Sequence, residues 1–153
     1  MDHATLFSIC NFGVLPFWLL LVVAPGARIT KALVHSPLVP TLLGLVYAVV
    51  LFGTPAGPEE ANMASLGGVA ALFRIESVVL AGWVHYLIFD LFVGAWEVRD
   101  ARRRGIPHIA VVPCLAGTLF AGPVGLMAYL GLRFAMRRVA SLVEVEEVPA
   151  GST

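Results

Sequence analysis

The sequence has few charged residues, which make up only 13% of its 153 residues. A soluble domain needs roughly a quarter of its residues charged, and the mean hydropathy here is +0.89. Ten Lys and Arg residues balance ten Asp and Glu residues, so the basic excess typical of a nucleic-acid-binding surface is missing. The composition therefore predicts an integral membrane protein and no nucleic-acid partner.

The sequence also lacks the residues that most metal and cofactor sites require. Its two cysteines, Cys10 and Cys114, both lie inside apolar runs, and its four histidines are scattered. This excludes a disulfide framework, a metal knuckle and the clustered histidines of membrane di-iron enzymes. A glycine-rich phosphate loop, a G-x-S-x-G elbow and an HExxH pair are missing too. We expect no metal and no cofactor, which leaves proton-transfer chemistry or no chemistry at all.

Four apolar runs are long enough to cross a hydrocarbon core of ~30 Å. They occupy residues 4–27, 36–58, 78–96 and 109–132. A fifth run, residues 61–73, is too short to cross, and we expect an interfacial or re-entrant segment there. The predicted fold is an all-α polytopic membrane protein with about four transmembrane helices. We expect one domain over residues 1–138, followed by a disordered tail over residues 139–153.

The run 109–132 is interrupted by Gly122 and Pro123, so two topologies are open. A full crossing places six basic residues on one side of the membrane and four on the other, whereas a segment that returns places nine against one. We favour the full crossing because 24 residues fit one crossing and neither half can span. The basic loop 99–104 is expected in the cytoplasm and the loop 53–77 outside.

The first candidate for chemistry is Asp90, which lies inside the run 78–96. An intramembrane carboxylate costs roughly 2.5–3.5 kcal/mol on insertion scales, so it needs a partner or a use. Tyr86 precedes it by four residues and can give it a phenolic hydrogen bond. His85 lies about 140° around the helix from Asp90. We predict Asp90, His85 and Tyr86 as catalytic residues.

Helical spacing places further residues on the face of Asp90, namely Trp83, Gly94 and Glu97. We predict Trp83 and Gly94, together with Asn11 of the first run, as substrate-binding residues. The alternative is that Asp90 and Tyr86 form a satisfied polar contact between helices and that Asn11 also only joins helices.

A family resemblance rests on two adjacent stretches, GWVHYLIFDLFVGAWEVRDARRRGI and PHIAVVPCLAGTLFAGPVGLMAYLGLR. FWLLLVVAP and SPLVPTLLGLVYAVVL extend it upstream, so that it covers roughly residues 6–133. The chain resembles the neoxanthin-synthase-like membrane proteins, also described as the abscisic-acid-deficiency type. The W-x-H-x4-D-L-F core is its most specific part.

The resemblance implies a carotenoid reaction. Plant members are chloroplast membrane proteins needed to turn violaxanthin into neoxanthin, which opens an epoxide and removes a nearby proton without net redox change. Such an isomerisation needs an acid and a base. Because no transit extension precedes the first run, we expect a bacterial member in the cytoplasmic membrane.

Two functions are compatible with the resemblance. The first is a small isomerase that uses Asp90 and His85 on a carotenoid-like or isoprenoid lipid. The second is a non-catalytic partner that binds such a lipid or scaffolds a pathway enzyme. A homo-oligomer is compatible with both, because the small residues Gly117, Ala121 and Gly125 recur every four positions and allow close helix approach.

Overall fold

The computed structural model describes residues 2–55 and 57–143 of the chain. These residues form eight α-helices and no β-strand, which confirms the all-α prediction. The helices are α1 His3–Gly13, α2 Leu15–Val23, α3 Arg28–Leu33, α4 Leu38–Phe52, α5 Leu66–Leu72, α6 Glu76–Arg103, α7 His108–Ala121 and α8 Pro123–Arg137.

Three helical segments are long and apolar enough to cross a membrane, which confirms a membrane protein. They are His3–Val23, Arg28–Phe52 and Glu76–Arg103. The first combines α1 and α2, the second combines α3 and α4, and the third is α6 alone. The long helix α6 lies at the centre, because α1, α2, α4, α7 and α8 all pack against it.

The run 109–132 does not form the fourth crossing, so the prediction of about four transmembrane helices is wrong. α7 ends at Ala121 and α8 begins at Pro123, and between them Gly122 has φ +20° and ψ −88°. Glycine, which has no β-carbon, adopts positive φ more readily than other residues, and proline fits the first position of the next helix. The 14 residues of α7 extend only ~21 Å, and α8 then returns along α7. Hydropathy over 24 residues could not distinguish one long helix from two short ones.

The two arms of this hairpin are in close contact through small residues. A β-carbon at Gly117 would lie 3.0 Å from the α-carbon of Gly125, and a β-carbon at Gly125 would overlap the backbone of Thr118. The small residues predicted to allow close helix approach therefore pack α7 against α8 of the same chain. A homo-oligomer stays a prediction.

The hairpin gathers the basic residues at one end of the molecule. Arg102 of α6 donates a hydrogen bond to the carbonyl oxygen of Pro25, at 3.4 Å, and Arg137 of α8 donates to that of Gly105. At the opposite end, His3 lies 3.6 Å from Glu76. Nine of the ten Lys and Arg residues thus belong to one end, and the positive-inside rule predicts that this end is cytoplasmic.

Two smaller predictions concern the segments outside the crossings. A seven-residue helix, α5, lies in the short apolar run, and the Ser65 side chain caps it by accepting from the amide of Gly68 at 3.0 Å. Residues 139–143 are described without helix, and the carbonyl oxygen of Val143 accepts from Arg104 at 3.1 Å. The rest of the predicted tail, residues 144–153, lies outside the described residues. The single domain over residues 1–138 stays a prediction.

Candidate functional site

Asp90 lies at the middle of α6, about 20 Å from each end at 1.5 Å per residue. The residue is 9% exposed and faces the turn between α7 and α8. A β-carbon at Gly122 would lie 2.7 Å from Asp90 Oδ1, so only glycine lets the turn approach this closely. Asp90 Oδ2 is buried without a hydrogen-bond partner among the described residues.

Tyr86 lies one turn from Asp90 and links it to the hairpin. The Tyr86 hydroxyl donates to the carbonyl oxygen of Leu119, at 3.1 Å, and also interacts with the Asp90 carboxyl group. The last carbonyl groups of a helix have no partner within the helix, and Tyr86 satisfies one of them near the end of α7. The spacing-based expectation that Tyr86 and Asp90 share a face agrees with this arrangement.

Asn11 and Trp83, both predicted as substrate-binding residues, contact each other. Trp83 Nε1 donates to Asn11 Oδ1 at 3.0 Å, which joins α1 to α6. The indole also lies 5.3 Å, centroid to centroid, from the Tyr86 ring. The structure thus brings Asn11, Trp83, Tyr86 and Asp90 together, and we call these four residues the hairpin-tip site.

The other two predicted site residues lie elsewhere on α6. A β-carbon at Gly94 would lie 2.7 Å from the Trp18 ring, so Gly94 provides space for α2 to pack against α6. The His85 ring lies 4.5 Å from the Phe89 ring and 6.0 Å from the Tyr47 ring of α4. His85 therefore faces α4, whereas Asp90 faces the hairpin. The roles predicted for Gly94 and His85 remain predictions.

An apolar groove of about 710 Å³ runs between α1, α2 and α7, and two of its lining residues adjoin residues of the hairpin-tip site. One wall contains Leu119, whose carbonyl oxygen is bonded to Tyr86, and another contains Phe12, the neighbour of Asn11. The remaining lining residues are also apolar: Leu15, Pro16, Trp18, Leu19, Val22, Val112, Leu115 and Ala116. The groove is therefore suited to a long apolar molecule.

A second polar cluster, which we call the Asp100 cluster, lies nearer the basic end of α6. Arg104 Nε is 2.8 Å and 3.0 Å from the two Asp100 carboxylate oxygens, and the Tyr129 hydroxyl donates to Oδ2 at 2.7 Å. Arg133 Nε lies 3.4 Å from the same oxygen. Asp100, Tyr129 and Arg133 are at most 1% exposed. This buried carboxylate is therefore compensated by two guanidinium groups.

Glu97 lies between the two clusters and is fully buried. Its Oε1 accepts from the Thr118 hydroxyl at 2.9 Å, and its Oε2 has no hydrogen-bond partner in the part of the chain that the structure describes. The sequence prediction ended the span at residue 96 and so missed Glu97 and the Asp100 cluster as buried groups. Asp90, Glu97 and Arg104 follow one another at intervals of seven residues, which is about two helical turns. This spacing places all three on one face of α6 and could have indicated that the polar face continues past residue 96.

Residues 5–129 match the ABA DEFICIENT 4-like family. The chain belongs to this family. One curated relative is the protein ABA DEFICIENT 4, chloroplastic, of Arabidopsis thaliana, which is 31% identical over 134 residues. The alignment covers 82% of this chain and 59% of the relative, so the chain spans less than two thirds of that protein's length. No solved structure matches the chain.

The family match of this ABA DEFICIENT 4-like protein includes the whole hairpin-tip site and the apolar groove. The Asp100 cluster extends beyond it, because Arg133 follows the last matched residue. In residues 2–55 and 57–143, no three His, Cys, Asp or Glu side chains are grouped as a metal site would require. The chemistry available at the hairpin-tip site is that of a carboxyl group, a phenol, an amide and an indole.

Proposed function

We propose that this ABA DEFICIENT 4-like protein is a small membrane isomerase that moves a proton within a carotenoid-like or isoprenoid lipid at the hairpin-tip site. The observation that supports it most is Asp90, a carboxyl group at the middle of α6, one of whose oxygens is buried and has no hydrogen-bond partner in residues 2–55 and 57–143. Ionisable groups held at this depth without a compensating charge are typical of functional sites. Family membership supports a carotenoid pathway role, because the resemblance implies neoxanthin formation for plant members.

The apolar groove supports the substrate class. From Phe12 to Val22 it follows ten residue-to-residue steps along α1 and α2, which corresponds to ~15 Å at 1.5 Å per residue. An isoprenoid or polyene chain would lie along this wall, and its end group would reach Tyr86 and Asp90. The oxygen atoms of such an end group would find donors there, whereas the chain would contact only apolar side chains.

The proposed reaction conserves atoms and electrons. For an epoxide substrate, a carbon–hydrogen bond breaks, its electron pair becomes part of the new double bond, and the adjacent carbon–oxygen bond opens. The proton taken from carbon is balanced by one given to the oxygen, which stays bonded to the other epoxide carbon as a hydroxyl group. The Asp90 carboxyl group has two oxygens, so one can donate while the other accepts, and Tyr86 orients them. His85, which is predicted to act together with Asp90, lies on the α4 face and would have to act without contact with Asp90.

We also propose that the protein resides in a bacterial cytoplasmic membrane with its basic end in the cytoplasm. The concentration of nine of the ten Lys and Arg residues at this end supports the orientation. In this orientation the hairpin enters from the cytoplasmic side and ends at the level of Asp90.

The proposal is tested by measuring carotenoid isomers before and after incubation with purified protein in lipid discs. Asp90→Asn keeps the shape of the side chain but cannot donate a proton as an acid. We expect it to bind pigment normally and to lose turnover by roughly a hundredfold or more, the scale of general acid–base contributions.

Glu60→Gln is the matched control, because it makes the same chemical change at an exposed loop position and should leave turnover unchanged. Full activity of Asp90→Asn would remove Asp90 from the mechanism. Pigment binding by the wild-type protein without any conversion would instead support the non-catalytic, lipid-binding alternative.

A further inference from the structure

Glu97 is a buried acid of α6 that belongs to neither the hairpin-tip site nor the Asp100 cluster. It is fully buried and lies seven residues from Asp90, or ~10 Å along α6 towards the basic end. Half of a hydrocarbon core is ~15 Å. With Asp90 at the midplane, Glu97 therefore lies within the apolar layer of the membrane.

The two carboxyl oxygens of Glu97 have different surroundings. Oε1 accepts from the Thr118 hydroxyl of α7 at 2.9 Å, whereas Oε2 is buried without a hydrogen-bond partner in residues 2–55 and 57–143. A buried carboxylate needs a cation or several donors to remain ionised, and otherwise it takes up a proton. This environment therefore favours the neutral acid, with Thr118 donating to Oε1 and the proton on Oε2.

The charged groups of α6 and α8 near Glu97 do not stabilise a negative charge on it. Glu97 interacts electrostatically with Asp90, a second carboxyl group, and like charges disfavour each other. Arg104 of α6 and Arg133 of α8 both compensate Asp100. The phenol that α8 adds to the Asp100 cluster also donates to Asp100, so the cations of this region already have a carboxylate.

Within the described residues, the other helices packed against α6 bring no cation to this acid. α7 contributes the Cys114 thiol, and its His108 is bonded to a backbone carbonyl group of α2. α2 has no ionisable side chain, and α4 has only Tyr47. On α1, His3 lies at the opposite end of the molecule and Cys10 lines a groove shared with α4.

The hairpin that Glu97 helps to hold covers Asp90 closely. A β-carbon at Gly122 would lie 2.7 Å from Asp90 Oδ1, and Asp90 Oδ2 is buried. A molecule therefore reaches this oxygen only if the turn between α7 and α8 moves. Thr118, one helical turn before Gly122, joins α7 to Glu97, so a charge on Glu97 would act directly on the contact that holds the turn in place.

We propose that Glu97 is a proton-binding site that controls the hairpin: the acid is protonated while α7 packs against α6, and it releases its proton to water when the hairpin moves away. The packed hairpin binds one more proton than the open one. It therefore loses stability as the pH rises above ~4.3, the ordinary pKa of an exposed glutamic acid. The loss is complete at the pH where Glu97 ionises in the packed hairpin. The proposal does not depend on the isomerase function, because no substrate takes part.

The test uses Cys114 of α7, which is 6% exposed, as the reporter of hairpin movement. Cys10→Ser removes the other cysteine, and the purified full-length protein in lipid discs is labelled with N-ethylmaleimide between pH ~5 and ~9. Glu97→Gln in this background keeps an acceptor for Thr118 but cannot ionise. Its rate at each pH therefore accounts for the pH dependence of the thiol chemistry. Asp90→Asn is the matched control, because it makes the equivalent change at the other carboxyl group.

We expect the labelling rate of the Cys10→Ser protein, divided by that of its Glu97→Gln variant, to rise by up to tenfold per pH unit. One proton is released on each opening, and this sets the slope. Asp90→Asn should show the same rise. A ratio that does not change with pH, or a rise that Asp90→Asn abolishes, would overturn the proposal.

Infrared spectroscopy tests the protonation itself without requiring the hairpin to move. A neutral carboxylic acid has a carbonyl stretching band that a carboxylate lacks. At pH ~5, where an exposed glutamic acid is mostly ionised, the wild-type protein should show one such band that Glu97→Gln lacks and Asp90→Asn retains. Identical acid bands in the wild-type protein and Glu97→Gln would also contradict the proposal.

Discussion

The hairpin-tip site and the Asp100 cluster lie on the same side of the same helix, yet their carboxyl groups have different surroundings. Asp100 is 1% exposed and is compensated by Arg104 and Arg133. Asp90 is 9% exposed, and among the described residues its carboxyl group interacts with the neutral hydroxyl of Tyr86. The difference is therefore one of compensation rather than of burial.

Compensation separates a structural role from a functional one. A buried ion pair tolerates its low-dielectric surroundings only when geometry and additional hydrogen bonds are good, and Asp100 has both. It joins α6 to α8 and thereby fixes the hairpin. A carboxyl group without a cation can change its protonation state more readily, as proton transfer requires. The Asp100 cluster holds the hairpin against the central helix, and the hairpin tip in turn encloses Asp90.

Asp90 and Asp100 face one hairpin only if α7 and α8 begin and end on the same side of the membrane. The largest expected effect is therefore on the side from which added cysteines are labelled. Cysteines at Ala140 and Met63, both exposed, should react with an impermeant thiol reagent from opposite sides. Ala140→Cys should be labelled from the cytoplasm and Met63→Cys from outside, each in an all-or-none manner. The native Cys10 and Cys114 are buried and should contribute little labelling.

A matched control for the labelling is the protein without either added cysteine. Labelling of both variants from the same side would contradict the re-entrant hairpin and restore a fourth crossing. In that case α8 would not return along α7 towards the basic end. Asp90 and Asp100 could not then both face one hairpin, and the comparison between them would no longer hold.

The next largest effect is expected on stability, from the same substitution at the two carboxylates. Asp100→Asn leaves Arg133 buried without its counter-ion, and breaking a buried pair from one side costs about 3–5 kcal/mol. Asp90→Asn removes no ion pair among the described residues, so we expect a change below about 1 kcal/mol. Unfolding free energies in mixed micelles provide the comparison. Similar losses for both variants would show that Asp90 is also a structural charge.

Packing between the hairpin arms should have a smaller but clear effect. Gly125→Leu forces side-chain atoms into the backbone of Thr118, whereas a β-carbon at Gly131 meets nothing within 4 Å. Overpacking of this kind costs roughly 1–3 kcal/mol, so Gly125→Leu should unfold in detergent well before Gly131→Leu. Equal thermal stability of the two variants would mean that the arms do not pack through Gly125.

The face of α6 could be predicted from local spacing, because a helix places residues four apart on one side. That rule is enough to place Tyr86 and Trp83 on the same face of α6 as Asp90. It could not reveal the bond between Trp83 and Asn11, which are 72 residues apart, because their proximity depends on how α1 packs against α6. The spacing also could not show that the Trp18 ring of α2 occupies the space beside Gly94.

The hairpin was the less favoured of the two topologies that the sequence left open, and the Asp100 cluster was missed; the reasons are related. Gly122 and Pro123 interrupt the last apolar run, but hydropathy measures length and polarity and not a reversal of direction. Charged residues after position 96 were taken to end the membrane span, whereas α6 continues to Arg103. Its carboxylate at position 100 is buried because Arg133 returns on α8, and only the folded hairpin provides that partner.

The smallest effect is expected at His85, the residue on which the sequence-based hypothesis and the site geometry differ most. The sequence made His85 the partner of Asp90 in proton transfer, which implies a roughly hundredfold loss of turnover for His85→Gln. The ring instead lies against Tyr47 and Phe89, so we expect less than a threefold loss, which is under about 0.7 kcal/mol. Tyr47→Leu, which removes the α4 contact of His85, is the matched control. A loss at His85→Gln as large as that at Asp90→Asn, with no loss at Tyr47→Leu, would return His85 to the mechanism and place the substrate on both sides of α6.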